Sequence, residues 1–286
     1  MNLKETQDRT YELLCLIDDI CREEGVTYYL EGGTEIGAVR EKDLIPWDDD
    51  IDIKIRRSEY AKFKAAMEKH LPPYIRLVEP KDFSPLFFDF ISRVVDTRYQ
   101  LRKEKDEDRA YGNLQNSVCV DILEYFHVPE SAMGKKISRA RMMLRYGLAM
   151  GHRYHLDYSK YSPVQKIAVG TMSLAGKLVP ARKYCEWFAK ELDRLERKQA
   201  KSADLYSNWI LGTVYPKDEW YRGTADGEIR GRKFPVPVGY DADLRSIYGD
   251  YMKPPKDLHE YNQHLDPEEQ FKGEMKVDQD RQDGED

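Results

Sequence analysis

Three things are scarce in this chain of 286 residues. The first is cysteine: Cys15, Cys21, Cys119 and Cys185 are the whole complement. They form no CxxC pair and no Cys/His cluster, which argues against a zinc site or a disulfide frame and reads as reduced thiols of a cytosolic protein. The second is long apolar runs. No stretch approaches the ~20 residues of a membrane span. The N-terminal MNLKETQDRTYELLCLIDDICREEG is acidic and broken by charge throughout, so it reads as an amphipathic helix and not a signal peptide. The third is positive excess. The net charge is −6, and the tail 266–286, with nine acids against three bases, accounts for all of it. Residues 1–265 are formally neutral, which excludes a generally basic nucleic-acid binder. The tail lacks apolar periodicity and is expected to be disordered. The chain as a whole is 41% hydrophobic and 34% charged, a soluble globular composition sized for one large domain or one domain plus a smaller one.

Periodicity divides the chain. Leu13, Ile17, Ile20 and Cys21 share a helix face that ends near Gly25. TYYLE (27–31) reads as a strand, Gly32-Gly33 as a turn, and TEIGAVREK as the opening of a short helix. DLIPW (43–47) is a loop. IDIKI (51–55) alternates, with Ile51, Ile53 and Ile55 on one face and Asp50, Asp52 and Lys54 on the other. Ser58 is a candidate cap for a helix to about His70. YIRLVEP, LFFDFISRVVD and SVCVDILEYF read as strands, with a charged loop at 103–109. Helical patterns follow at 131–152, 163–178 and 181–200; beyond 205 the chain reads as irregular and aromatic. The expected class is α+β, a mixed α/β portion over 1–130, a mainly helical portion over 131–265 and the tail.

PWDDDIDIKI (46–55) carries the chemistry. Asp48, Asp49, Asp50 and Asp52 fall within five positions. A solvated acidic turn explains Asp48 and Asp49, but not Asp50 and Asp52, which interleave with isoleucines. An EF-hand loop would place Asp48, Asp50 and Asp52 at its first three ligand positions and Glu59 at its last, yet Ile53 stands where that loop needs glycine and Pro46 precludes an entering helix. Two carboxylates at i and i+2 on a strand can clamp one or two Mg²⁺ ions, as phosphoryl transfer requires. Asp121, flanked by Val120 and Ile122, supplies a third carboxylate on a later strand. Gly32-Gly33-Thr34 supplies a turn feeding a helix N-terminus suited to phosphate. This order is that of the DNA polymerase β-like nucleotidyltransferase fold.

EGGTEIGAVREKDLIPWDDDIDIKI (31–55) closely resembles the signature of the LicD family: Gly-Thr, Gly-Ala-x-Arg, then Ile-Pro-Trp-Asp-Asp-Asp-Ile-Asp. FISRVVDTR (90–98), VDILEYFHVP (120–129) and residues 236–261, with His259, look like further family segments, so the likeness spans most of 1–261. The resemblance implies a phosphotransferase with a nucleotidyltransferase core. It also implies a CDP-linked donor such as CDP-choline or CDP-ribitol, Mg²⁺ or Mn²⁺, a hydroxyl of a cell-surface glycan (lipopolysaccharide or teichoic acid) as acceptor, and release of CMP.

On this reading Asp50, Asp52 and Asp121 are metal ligands, with Asp121 also a general base. Asp48 and Asp49 are outer ligands or solvated loop residues. Gly32, Gly33 and Thr34 approach the donor phosphates. Arg40 pairs with the pyrophosphate, the acidic cluster or a structural partner, and Arg93 is a phosphate or nucleotide contact. Trp47 packs the loop. His259 lies near the acceptor or is structural. Trp209, Tyr215, Trp220 and Tyr221 are core aromatics or a cage for choline. Residues 131–156 hold six Lys/Arg and no acid, either a solvated face or a contact for an anionic membrane. The runners-up are ribitol- or glycerol-phosphate transfer, nucleotidyl transfer to a small molecule, and a calcium-binding module.

Overall fold

The computed structural model describes residues 1–208 and 214–254. The first helix, α1 (Leu3–Glu24), is closed at both ends. Asn2 accepts the Glu5 N–H while Glu5 accepts the Asn2 N–H, and Gly25 takes the left-handed conformation, φ 63°, at its exit. Its face of Leu13, Leu14, Ile17, Ile20 and Cys21 is buried.

Six strands form one sheet: β1 (Tyr29–Leu30), β2 (Asp52–Arg56), β3 (Ile75–Val78), β4 (Ser92–Gln100), β5 (Ser117–His127) and β6 (Leu205–Ser207). The order is β1-β2-β5-β4-β3, with β6 also on β5. β2 and β5 run parallel and the other pairings are antiparallel, so the sheet is mixed and the class is α+β. Ile51, Ile53 and Ile55 are fully buried in the main core with Val118, Val120 and Ile122. The core's other wall is α1 and α3 (Tyr60–His70), whose Tyr60, Phe63, Ala66 and Met67 face inward as their spacing predicts.

Three helices follow β5: α5 (Ala132–Ala149), α6 (Pro163–Gly176) and α7 (Ala181–Lys198). A second core joins α5 and α7 to Phe87, Phe90, Phe126 and Tyr206. The chain then returns to the first half. β6 pairs with β5, and a hairpin of β7 (Thr224–Ile229) and β8 (Arg232–Pro237) inserts Ile229, Phe234 and Val236 into the main core. The last described helix, α8 (Tyr240–Tyr248), packs Leu244 against Ile36 and Ile45.

Four local expectations differ from the structure. Among the described residues, the stretch from 205 onward, read as irregular, supplies three strands, β6, β7 and β8. Residues 103–109 contain part of a short helix, α4 (Asp106–Ala110), because Asp108 accepts the Lys105 N–H at its start. Ser58 lies in a turn and does not cap α3, whose N-cap is Glu59. Residues 86–91 precede β4, since Phe87 and Phe90 are drawn into the second core and Asp89 accepts the Ile91 N–H.

Candidate active site

The pleat sets the site. In the paired ladders Asp52 on β2 stands opposite Asp121 on β5, and Asp121 stands opposite Arg93 on β4. The three side chains therefore form a row across three adjacent strands, on the face turned away from the isoleucines. Two loop bonds fix its edge: Asp121 N–H donates to Ile51 O at 3.0 Å, and Asp52 N–H to Thr34 Oγ1 at 2.9 Å. Thr34 thus anchors the strand through a hydroxyl that the sequence assigns to the donor phosphates.

Asp48, Asp49 and Asp50 extend the row. Carboxylate oxygens of all three lie within 4.8 Å of one another. Asp49 is buried and Asp48 and Asp50 half-buried, so none is a solvated loop residue. Burial, reinforced by Asp50, pushes the Asp48 and Asp52 carboxyls well above the ordinary carboxylate range; Asp121 adds to the shift at Asp52 and Asp49 at Asp48. Like charges packed this way repel one another, and an all-oxygen carboxylate set suits Mg²⁺ or Mn²⁺. The acids of this row that converge closely enough for one ion are Asp48, Asp49 and Asp50; Asp50, Asp52 and Asp121, the ligand set expected from the sequence, do not form such a group among the described residues, although Asp52 and Asp121 are neighbours in the sheet.

Arg93 faces these acids. Its Nε donates to Asp121 Oδ1 at 2.7 Å, and one Nη reaches Asp121 Oδ2 at 3.2 Å and Asp89 Oδ2 at 2.6 Å. Buried to 6% exposure, it holds Asp121 in a two-point grip rather than standing free for a nucleotide. Arg40 is also placed by its partners, donating to Tyr251 O at 2.6 Å and to Glu41 at 2.5 Å. Its remaining Nη atom is buried without a hydrogen-bond partner.

Two cavities meet at Asp50. The larger, about 960 Å³, is lined by Gly33, Arg40, Trp47, Asp48, Asp50, Tyr248 and Tyr251. The smaller, about 460 Å³, is lined by Asp49, Asp50, Phe88, Arg93, Cys119 and Asp121. The glycines are required by this crowding: a Cβ on Gly33 would collide with the Asp48 carboxylate, and Gly32 takes φ +56° with Tyr248 and Asp52 beside it. Trp47 half-fills the loop against Ile36, Ile45 and Leu244 and also borders the larger cavity.

Sequence reasoning missed a third part. Lys54, two residues beyond Asp52 on the same face, is 4% exposed and ion-paired to Glu31 at 2.6 Å and to Glu35 and Asp243 at 3.1 Å each. Three carboxylates around one ammonium leave negative charge in excess. Burial pushes Glu35 up to about 8, with Lys54 opposing and Glu31 and Asp243 adding to it. Beside this cluster lies a cavity of about 680 Å³ lined by Glu31, Lys54, Tyr125, Tyr206, Tyr221, Tyr248 and apolar residues. Only the i, i+2 relation of Asp52 and Lys54 was legible; the acids come from positions 31, 35 and 243. His259, Trp209 and the tail 266–286 lie outside the described residues.

The family comparison decides the kinship. Residues 25–175, more than half of the chain, match the model of the LicD/FKTN/FKRP nucleotidyltransferase domain. The chain belongs to this LicD family. Over 93% of its length it is 26% identical to the lipopolysaccharide cholinephosphotransferase LicD of Haemophilus influenzae, covering 97% of that protein. It is similar to the human ribitol 5-phosphate transferase FKRP only over 31 residues, 58% identical, which is 11% of this chain and 6% of that one. It also shares 26% identity over 62% of its length with an uncharacterised protein of Rickettsia prowazekii, covering 54% of it. Kinship with LicD proteins supports a phosphotransferase, and the acidic row lies inside the matched segment. No helix among the described residues is long and apolar enough to cross a membrane.

Proposed function

We propose that this LicD-family chain transfers a phospho-alcohol group, phosphocholine first, from a CDP-linked donor to a glycan hydroxyl, releasing CMP, on a nucleotidyltransferase-type core. The observation that carries the reading is the in-register pair Asp52–Asp121 with Asp50, Asp49 and Asp48 beside it. A divalent ion held among these acids would neutralise the pyrophosphate and the charge developing on it. The chain's own residues do the rest. Arg40, with a buried donor left over, offers a charge-assisted bond to a phosphate oxygen in the larger cavity. Gly33 lets the backbone border that phosphate closely. Asp121 lines the smaller cavity, where an acceptor hydroxyl entering there meets its carboxylate; Arg93 fixes which oxygens face it. Asp50 lines both cavities, so donor and acceptor approach from different sides, as in-line displacement demands.

Phosphocholine is favoured over a polyol phosphate by the tyrosine-lined cavity. A trimethylammonium donates no hydrogen bonds and is held by aromatic faces and nearby carboxylates. Tyr125, Tyr206, Tyr221 and Tyr248 supply faces, and Glu31 with the acids around Lys54 supplies charge. Lys54 already stands 4.9 Å above the Tyr221 ring, a cation on one of these faces. Ribitol would instead need a polar partner for each hydroxyl. The short, strong likeness to a ribitol 5-phosphate transferase keeps that donor as the second reading.

The test is incubation of the purified chain with CDP-choline, CDP-ribitol or CDP-glycerol, Mg²⁺ and lipopolysaccharide as the glycan acceptor while CMP is followed by chromatography. CMP should appear fastest from CDP-choline and stop with a chelator. Absence of CMP from all three donors overturns the reading, and a nucleotide attached to the acceptor would replace it with nucleotidyl transfer. Tight calcium binding with no turnover would favour a binding module.

A further inference from the structure

Helix α6 is inside out for a helix of a water-soluble fold. Val164, Ile167 and Leu174 recur along one stripe, continued by Leu178 in the turn beyond it, and they are 78%, 70%, 73% and 85% exposed. Ala168, Thr171 and Ala175, also exposed, complete the stripe without adding a charge. Only the C-terminal end of α6, Met172 to Gly176, packs closely, against the end of α5 and the turn after it. A Cβ at Gly176 would collide with the Leu148 carbonyl, one at Gly147 with Met172, and one at Gly151 with the Ser173 carbonyl. The helix is well formed at its start: Ser162 and Gln165 make a reciprocal cap and Pro163 occupies the first turn. It therefore does not expose its stripe because it is frayed.

The segment that carries the stripe is charged almost wholly with one sign. From Ser131 to Cys185 the chain holds eleven Lys/Arg and a single acid, Asp157, in a protein whose acids outnumber its bases, 52 to 46. Part of this charge serves the fold: Lys135 pairs with Asp204 at 2.5 Å, and Arg145 approaches Glu191 at 3.6 Å. Lys136, Lys166 and Lys177 are exposed to solvent. On α5 itself Met133, Ile137 and Leu144 are 67%, 48% and 54% exposed, so its outer face too is apolar between cations.

We infer that the α5–α6 pair is a membrane-docking surface, which lays the α6 stripe into the interface of an anionic bilayer while its lysines meet the headgroups. A shallow apolar stripe flanked by cations is what an interfacial helix needs. A second copy of the chain fits less well, because a two-fold contact would set this basic segment against itself.

The experiment is co-sedimentation of the full chain with sucrose-loaded vesicles of phosphatidylcholine, with and without one quarter phosphatidylglycerol. The chain should pellet with the anionic vesicles, less so at high salt, and stay in solution with pure phosphatidylcholine. Ile167→Asp with Leu174→Asp should lower the bound fraction more than about tenfold. Lys166→Glu with Lys177→Glu should lower it severalfold. Both pairs should leave the circular-dichroism melt unchanged, since none of these side chains is buried. Failure to pellet, equal pelleting with both vesicle types, or undiminished binding of the aspartate pair would overturn the inference. So would a dimer in sedimentation velocity that the aspartate pair splits, with no vesicle binding.

Discussion

Carboxylates crowded into one half-buried row repel one another, and removing one relieves the rest. Asp52→Asn should therefore raise the melting temperature of the metal-free protein while abolishing both the melting shift on adding Mg²⁺ and the release of CMP; scanning calorimetry with and without Mg²⁺ measures the first two. Arg93 acts oppositely. Arg93→Met leaves the half-buried Asp89 and Asp121 without the guanidinium that pairs them and should cost about 1 to 3 kcal/mol in urea unfolding. Glu35 gives a pH signature. Its carboxyl, ordinarily titrating near 4.5, is pushed up to about 8 by burial. The folded chain therefore binds a proton between those values that the unfolded chain has released. That contribution to stability is whole below about 4.5 and is lost as pH rises toward 8. Metal-free melting temperature should fall from pH 5 to pH 8, and Glu35→Gln should flatten the fall. At this scale the sequence showed Asp50, Asp52 and Asp121, because period two exposes a charged face between isoleucines. It hid the restraint of Asp121 by Arg93 and the acids around Lys54, because both depend on which strands become neighbours.

Among the elements, those with a long pattern were legible: α1, α3, α5, α6, α7 and the alternating strands β2 and β5. The short ones were not. β6 has three residues and gains its stability from β5, and the β7–β8 hairpin, interrupted by Pro235, is a strand pair because its apolar residues fill the main core. Tertiary burial outweighed local preference in both. The short helix α2 (Gly32–Ile36) shows the converse, a local glycine preference with a tertiary cause. In an open helix Gly33→Ala would add stability. Here the new methyl pushes the Asp48 carboxylate aside, so the variant should fold with an unchanged melt yet bind Mg²⁺ several times more weakly by titration calorimetry.

Over the whole molecule, the halves read from the sequence are interleaved. The hairpin fills the main core, β6 completes the sheet, and Asp243 and Tyr248 of α8 reach the site from the far end of the chain. Residues 1–130 expressed alone should consequently fail to give a cooperative melt or a Mg²⁺-dependent shift, whereas residues 1–254 should give both. β5 explains why the parts cannot be taken separately. It is paired along both edges, with β2 on one and with β4 and then β6 on the other. A strand held on both sides cannot drift by fractions; it keeps its register or loses it by a whole residue, which would turn Val120 or Ile122 toward the site in place of Asp121. The strand-borne part of the row, Asp52, Asp121 and Arg93, is thus a fixed anvil. Under the proposed reaction, opening for a donor or letting a product go would fall to the pieces that overhang this anvil, the 43–47 segment with Trp47 and the end of α8 with Tyr248 and Tyr251, and the pace of turnover would be set there rather than at Asp52 and Asp121.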